Sequence, residues 1–194
     1  MLKIAILSGS SRPDSQSAKV ATYLQQQLQQ QGKQACVLDL AATPLPLWPV
    51  GPAEHWPAMQ AQLADADALV VIAPEWHGMA CPAVKNFFLY ASKAELAHKP
   101  GLLVGVSSGV GGAYPISELR ASGYKNSRLC YLPEHLIIRQ VEQVLNAGAA
   151  HGESDQRIRA RIDYALDILC QYAEALKPVR ANISFANPDF ANGM

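Results

Sequence analysis

The amino-acid sequence predicts an α/β fold in which helices cover both faces of a parallel sheet. Short apolar runs alternate with stretches of helical periodicity along the chain. The run Ala68–Ala73 is continuous and rich in β-branched residues, which is typical of a central strand buried on both faces. Alternation of strands and helices at this spacing indicates βαβ units and a doubly wound sheet.

The elements follow in order along the chain. The predicted strands are Lys3–Leu7, Gln34–Leu40, Ala68–Ala73, Gly101–Val106 and Leu129–Leu132, the last of which we expect Pro133 to end. Apolar residues at helical spacing between Ala18 and Leu28 predict the first helix. The other predicted helices cover residues 57–65, 82–97, 112–122 and 155–176. We therefore expect a single domain over residues 1–176 and a C-terminal tail over residues 177–194.

Composition and charge exclude several classes of function. Sixteen basic residues cancel sixteen acidic ones, so no global field attracts nucleic acid or an anionic membrane. No apolar run approaches the roughly 20 residues of a membrane span. The four cysteines lie far apart without a CxxC pair, which predicts neither a metal site nor a disulfide framework. We expect reduced thiols in a cytoplasmic protein.

The loop after the first strand is rich in hydrogen-bond donors. Its sequence, residues 8–17, is SGSSRPDSQS. If Ser15 caps the following helix, the first turn offers unpaired N–H groups to a phosphate. Ser10 and Ser17 add hydroxyl groups, and Arg12 adds a positive charge. Because the loop has neither GxGxxG nor GxxxxGK[ST], it predicts a single terminal phosphate rather than a dinucleotide or Walker site.

Two further loops follow strands that should end at the same edge of the sheet. Residues 74–86 read PEWHGMACPAVKN, and residues 107–115 read SSGVGGAYP. Trp76 and His77 are placed to face a ligand above the sheet, and the glycines of the third loop allow backbone to approach a flat ligand closely. A phosphate site, an aromatic side chain and a glycine-rich edge together suit flavin mononucleotide (FMN).

These three loops make the chain resemble the NADPH-dependent FMN reductase family, whose members include quinone, chromate and azo reductases. The first loop resembles the family pattern GSxRxxSxN through residues 9–17, and the second resembles PEYNxSxPGxLKN through residues 74–86. The third resembles its serine-then-glycine loop through residues 107–112. The similarity covers roughly residues 2–120. Ser17 and His77 replace the family's asparagines, Met79 replaces a serine, and Cys81-Pro82 replaces Pro-Gly.

The resemblance implies a flavodoxin-like three-layer α/β/α sandwich with a five-stranded parallel sheet in the order 2-1-3-4-5. It implies an NAD(P)H-dependent flavin or quinone reductase, with hydride transfer through bound FMN and no catalytic side chain. NADPH or NADH would be the electron donor and a small molecule the acceptor. The predicted cofactor-binding residues are Ser10, Arg12, Ser15, Gln16, Ser17, Pro74, Glu75, Trp76, His77, Gly78, Ser107, Ser108, Gly109, Gly111 and Gly112.

Two alternatives belong to other classes. Residues 105–109, GVSSG, match the G-x-S-x-G nucleophile elbow, which would make Ser107 an esterase nucleophile with His135 or His151 as base. A non-enzymatic flavin-binding module is the second alternative, since His77 and Met79 depart from the family pattern.

The resemblance also implies a homodimer or homotetramer. Phe87, Phe88, Leu89 and Tyr90 are consecutive on a predicted helix, so some must face away from the sheet. A two-fold contact would bury them against a second copy, whereas the Trp48–Trp56 segment or the C-terminal tail would cover them within one subunit.

Overall fold

The computed structural model describes residues 1–50, 53–184, 188–190 and 192. The strands are β1 (Lys3–Ser8), β2 (Gln34–Asp39), β3 (Ala68–Trp76), β4 (Met79–Ala80), β5 (Pro100–Val106) and β6 (Cys130–Ile138). The helices are α1 (Gln16–Gln30), α2 (Trp56–Asp65), α3 (Pro82–Tyr90), α4 (Lys93–Leu96), α5 (Ala113–Arg120) and α6 (Gly152–Asn182).

Five parallel strands form the sheet in the order β2-β1-β3-β5-β6, and the short β4 pairs with the end of β3 in an antiparallel hairpin. The predicted order of the five parallel strands is confirmed, because β4 only shifts the numbering. Strand β5 is buried throughout, and β3 is buried from Ala68 to Pro74, as the apolar run 68–73 predicts. In register, Ile6 of β1 lies between Val37 and Val70. The carboxyl ends of β1, β3 and β5 therefore meet at one edge.

Two cores, one on each face, make the fold a three-layer α/β/α sandwich of the flavodoxin-like type. One core packs α1 and α6 against the sheet, and the other packs α2, α3, α4 and α5. The apolar positions of α1, among them Leu24 and Leu28, are fully buried as their spacing predicts. Ser15 caps this helix by accepting a hydrogen bond from the Ala18 amide at 3.1 Å.

The predicted helix 82–97 is wrong in one respect, because two helices occupy the segment. Helix α3 ends at Tyr90, and Ser92 starts α4 with a capping box to Glu95. The Glu95 carboxylate is buried and also accepts from Gln60 Nε2 at 2.7 Å. The capping box gives the backbone a favourable new start, which the continuous apolar pattern conceals.

The last strand extends beyond its predicted end. Pro133 does not end β6, because the strand bulges between the pairs Gly101–Tyr131 and Leu103–His135. Within a bulge on an edge strand, the missing amide of proline breaks no required ladder bond. Arg120 donates to the carbonyl groups of Leu132 and Pro133, which anchors this irregular part of the edge.

Helix α6 begins before and ends after the predicted range 155–176. It continues through residues 177–182, where Lys177 and Arg180 pair with Asp67 at 3.4 and 3.2 Å. Residues 185–187, 191, 193 and 194 of the predicted tail lie outside the described residues. Within the described ranges, no helix combines the length and apolar character needed to span a membrane.

The segment before α2 packs against α3. The Trp48 amide donates to Asn86 Oδ1 at 2.9 Å, and the Tyr90 hydroxyl donates to the Pro46 carbonyl at 2.9 Å. The Trp48 and Tyr90 rings meet edge to face at 5.3 Å. The segment before α2 therefore covers Tyr90 within one subunit, whereas Leu89 remains 56% exposed.

Candidate functional site

The loops that follow β1, β3 and β5 surround a cavity of about 370 Å³ at the carboxyl edge of the sheet. This is the edge where ligands bind in open α/β sheets. The lining residues are Ser10, Arg12, Pro13, Asp14, Ser15, Gln16, Ser17, Pro74, Glu75, Trp76, Val106, Ser108, Val141 and Glu142. Nine of these were predicted from the sequence, namely Ser10, Arg12, Ser15, Gln16, Ser17, Pro74, Glu75, Trp76 and Ser108.

The end of the cavity beside α1 is rich in donors that have no acceptor among the residues that the structure describes. The Ser10 hydroxyl accepts from the Arg12 amide at 3.1 Å, which leaves its own proton free to donate. The first-turn amides of Gln16 and Ser17 have no acceptor within the helix. Arg12 is exposed, and no group in the described part of the chain pairs with its guanidinium. These groups form the kind of site that binds a phosphate at a helix N-terminus.

Tight packing fixes the position of this loop. A Cβ atom at Gly9 would lie 2.2 Å from Val84 Cγ2 and 2.3 Å from the carbonyl oxygen of Ile72. The Cys81 thiol donates to the Gly9 carbonyl at 2.9 Å, and burial raises the pKa of this thiol. Only glycine fits at position 9, so the loop begins at a defined height above β1 and β3.

The second loop is a β-hairpin whose tip lies outside the cavity. His77 and Gly78 both have positive φ, at 49° and 72°, and connect the paired residues Trp76 and Met79. This is the geometry of a type I′ turn, which favours asparagine and also accepts histidine at its first central position. His77 and Gly78 are exposed and do not line the cavity, whereas the half-buried Trp76 does.

Helix α5 holds this hairpin in place. The Glu118 carboxylate accepts from the Ala80 amide at 2.7 Å and pairs with Lys85 at 2.9 Å. The Lys85 side chain and the Ala80 amide lower the pKa of Glu118 through these bonds. The hairpin is therefore tied to both α3 and α5.

The glycine loop after β5 is bound to Glu75. The Glu75 carboxylate accepts from the Gly112 amide at 2.6 Å, and a Cβ atom at Gly111 would lie 2.6 Å from its other oxygen. Ser107 Oγ accepts from the Gly109 amide at 3.2 Å. Of the predicted residues in this loop, Ser108 lines the cavity, whereas Ser107, Gly109, Gly111 and Gly112 do not. The amides of Gly109 and Gly112 are thus already bonded within the protein.

A fourth wall, absent from the sequence prediction, completes the cavity. Val141 and Glu142 line it from a 3-10 turn that follows β6. Lys19 of α1 donates to the carbonyl groups of Val141 and Val144 at 2.6 and 2.9 Å, and burial lowers the pKa of this lysine. Sequence reasoning missed the wall because it expected β6 to end at Leu132.

Asp155 fixes the remainder of this loop. Its buried carboxylate accepts from the amides of Leu145 and His151 at 2.8 and 3.0 Å and from Arg159 Nε at 3.0 Å. Desolvation opposes the charge, but the hydrogen bonds prevail and lower the pKa of Asp155. Arg159 also donates to the carbonyl groups of Asn146 and Gly148, so the segment from 144 to 151 is held at both ends.

The arrangement around Ser107 does not support a nucleophile elbow. His135 lies opposite Leu103 in the sheet, four residues before Ser107, which is about 13 Å along the strand. His151 lines a separate groove beside α6. The backbone of Ser107 does not have the positive φ of a strained turn. Among the residues that the structure describes, no group of three or more His, Cys, Asp or Glu side chains could hold a metal ion.

A doubly wound parallel sheet with a donor-rich cavity at its carboxyl edge defines a flavodoxin-like nucleotide-binding protein. The family model described as NADPH-dependent FMN reductase matches residues 2–143. The chain therefore belongs to this family and is an oxidoreductase that uses FMN and NAD(P)H.

Known proteins with similar sequence or structure include other reductases. An NADPH azoreductase of Bacillus sp. (strain OY1-2) is 29% identical over 126 residues, which are 62% of this chain and 68% of the relative. The flavoenzyme FerB, an NAD(P)H:(acceptor) oxidoreductase from Paracoccus denitrificans, superposes with a TM-score of 0.69 at 22% identity, over 91% of this chain and 99% of FerB. An oxidoreductase from Corynebacterium diphtheriae gives a TM-score of 0.68 at 17% identity, over 90% and 98% of the two chains. The two structural similarities support the fold.

The cavity fits the chemistry of FMN. Gln16 lines the cavity, and its Oε1 atom is a buried acceptor without a partner among the described groups. A ligand that carries hydroxyl groups beside a phosphate would satisfy both this acceptor and the donors at the start of α1. The ribityl phosphate of FMN has both kinds of group.

Proposed function

We propose that this chain is a two-electron reductase of small organic acceptors such as quinones, azo compounds or free flavins. The observation that carries the proposal is the cavity at the carboxyl ends of β1, β3 and β5, with unpaired donors at one end and the Trp76 ring on its wall. Bound FMN would supply the redox chemistry by accepting a hydride from NAD(P)H and passing two electrons to the acceptor, so no nucleophile is required.

The residues at the start of α1 would bind the phosphate. Ser10, Ser15, Gln16 and Ser17 offer hydroxyl, amide and side-chain groups, and Arg12 neutralises charge. The positive end of the α1 dipole adds to this attraction. The first turn of α1 contains no acidic residue that would cancel it. Asp14 and Glu142 also line the cavity, so Arg12 is the group that decides whether an anion is favoured there.

The second and third loops would hold the flat end of the cofactor. Pro74 is buried and rigid, and the half-buried Trp76 ring provides an apolar surface beside it. Glu75 holds the glycine loop through Gly112, and the Ser107 hydroxyl holds it through Gly109. His77, Gly78 and Gly111 would then act by shaping these two loops, rather than by direct contact with the ligand.

The nature of the acceptor rests on the relatives and on exposure. The Bacillus relative is an azoreductase, and FerB is named for a general acceptor. His77 and Met79 project from the hairpin tip, and Met79 is 54% exposed, which leaves room for flat molecules of varied shape beside the cavity. We therefore expect broad acceptor use and ping-pong kinetics, since donor and acceptor would share one face of the flavin.

Binding and turnover test the proposal. Protein freed of flavin is titrated with FMN and with riboflavin while flavin fluorescence is followed, and NADPH oxidation is then measured with a quinone, an azo dye and free FMN. We expect tighter binding of FMN than of riboflavin, and parallel initial-rate lines. Equal affinity for the two flavins would place the phosphate elsewhere, and intersecting lines would exclude a shared face.

We further propose a homodimer or homotetramer in the cytoplasm. Exposed apolar side chains beside α3, namely Leu47, Trp48, Val50 and Leu89, would be buried by a second copy. All four cysteines are free, as expected in a reducing compartment. Sedimentation of the wild type and of Leu89→Glu tests the assembly: a monomer near 20.9 kDa for the wild type would contradict it.

A further inference from the structure

A groove of about 1100 Å³ runs between the end of β6, the segment that follows it and the first turns of α6. Its lining includes Arg139, Gln140, Arg157, Ile158, Arg161 and Tyr164. The groove is separate from the cofactor cavity and is large enough for a nucleotide. None of the residues proposed above to bind the cofactor lies in it.

A single turn of chain separates this groove from the cofactor cavity. Val141 and Glu142 line the cavity, whereas Gln140, Gln143 and Val144 line the groove. Arg139 Nε donates to the carbonyl group of Gly111 at 3.2 Å, so the groove also touches the glycine loop. A molecule that extends across this turn would reach both sites.

Positive charge is in excess among the side chains that line the groove. Asp155 is neutralised by Arg159 and two amides, and Arg161 is paired with Glu134. Arg139 keeps the terminal N–H groups of its guanidinium, and Arg157 keeps its whole guanidinium, without an acceptor in the described ranges. Of the lining carboxylates, Glu153 alone then opposes these two arginines. The balance favours an anion with several oxygen acceptors.

The apolar part of the groove suits a flat base. Ile137 and Ile158 contribute aliphatic surface, and the Tyr164 ring is 53% exposed. The Arg161 guanidinium lies 5.2 Å from the centre of that ring. Because Arg157, Arg161 and Tyr164 are spaced at i, i+4 and i+7, they share one face of α6.

We propose that the groove binds the adenosine 2′-phosphate end of NADPH, with Arg139 and Arg157 as the residues that select NADPH over NADH. The proposal rests on the proposed function, because it places the electron donor of that reaction. A phosphate monoester carries the charge and the oxygen acceptors that two guanidinium groups match, and NADH lacks this group. Adenine would lie against Tyr164 and Ile158, and the rest of the donor would cross the turn at 140–143 toward the cofactor.

Initial rates with both donors test the selection. In Arg157→Ala, we expect kcat/KM for NADPH to fall about tenfold, and in the double variant with Arg139→Ala about a hundredfold. NADH should change by less than about threefold in Arg157→Ala, since it has no 2′-phosphate to lose a contact. Arg139 also holds the Gly111 carbonyl, so in the double variant we expect the NADPH loss to exceed the NADH loss by about tenfold or more. Lys125→Ala is the matched control: it removes an exposed cation outside the groove and should leave both donors unchanged. Equal losses for the two donors, or no loss for NADPH, would overturn the proposal.

Direct binding separates this proposal from the reductase function itself. Calorimetric titration with 2′,5′-ADP and with 5′-ADP needs no bound flavin and no turnover. We expect 2′,5′-ADP to bind the wild type more tightly than 5′-ADP does, and the double variant to lose that preference. If FMN fails to bind while this preference persists, the reductase function fails and the groove stands. If the double variant keeps the preference, or shows a changed sedimentation coefficient because a second copy occupies the groove, the groove proposal fails whatever the flavin result.

Discussion

The two ends of the cofactor cavity differ in what their polar groups bind. Beside α1, the Arg12 guanidinium and the first-turn amides have no acceptor within the described protein, and Gln16 Oε1 has no donor. At the opposite end, the Glu75 carboxylate already accepts from the Gly112 amide of the glycine loop. Unsatisfied groups define where a ligand is held, and satisfied groups define the shape that it meets.

The largest expected effect belongs to Asp155, whose fully bonded carboxylate holds the segment behind the cavity wall. Asp155→Asn leaves the amides of Leu145 and His151 and the Arg159 guanidinium facing a neutral amide. Because a buried charge pair is broken, we expect the free energy of unfolding to fall by about 3–5 kcal/mol. Urea unfolding followed by tryptophan fluorescence measures it. Asp163→Asn, an exposed aspartate on the same helix, is the control and should change stability little.

Asp155→Asn should also change how the free energy of unfolding depends on pH in the acid range. The pKa of Asp155 is lowered in the folded protein, so its stabilisation is present above the unfolded pKa of about 4 and is lost as pH falls below it. The wild type should therefore lose stability more steeply below about pH 4 than Asp155→Asn does. Parallel pH dependences would show that the carboxylate is not held as the structure indicates.

The next effect belongs to the unsatisfied end. Arg12→Ala removes a charge-assisted contact of about 1.5–3 kcal/mol, which corresponds to a ten- to hundredfold weaker binding of FMN. Riboflavin should be affected little, because it lacks the phosphate. Fluorescence titration with both flavins gives the two ratios. Arg12→Lys keeps the charge without the fork and should recover part of the loss. Equal weakening of both flavins would place Arg12 away from the phosphate.

Much of the unsatisfied end could be predicted from the sequence, because it is local. The prediction used Ser15 and the apolar spacing of α1, together with the lack of a GxGxxG motif in the preceding loop. All of these can be read from one short segment. The polar groups that are already bonded within the protein depend on pairs distant in sequence: Lys19 binds Val141, and Glu75 binds Gly112. The sequence pattern does not show such pairs, and it predicted an end to β6 at a proline that the bulge accommodates.

The hairpin illustrates the same limit at one residue. The resemblance predicts that His77 lies against the flavin, and the structure adds that His77 occupies an exposed turn with φ of 49°. The type I′ turn explains why asparagine or histidine suits this position without any contact to a cofactor. The helix break at Ser92 is a second case, because its capping box lies inside a continuous apolar pattern.

The smallest effect should come from Glu75. In Glu75→Gln the amide oxygen still accepts from Gly112, so the loop keeps its position while the charge is lost. Two like unit charges about 10 Å apart in water repel by about 0.4 kcal/mol, so the loss of the Glu75 charge should tighten FMN binding by no more than about twofold. FMN titration of the variant measures it, and a loss above tenfold would mean that Glu75 contacts the ligand directly.

Reduction of bound flavin in the absence of oxygen tests the central claim most directly. The purified protein is saturated with FMN, its absorbance spectrum is recorded, and NADPH is added anaerobically. We predict that the visible absorbance band of the bound flavin bleaches with one equivalent of NADPH and returns when a quinone is added. A spectrum of free, unbound FMN, or a bound flavin that NADPH does not bleach, would contradict the account.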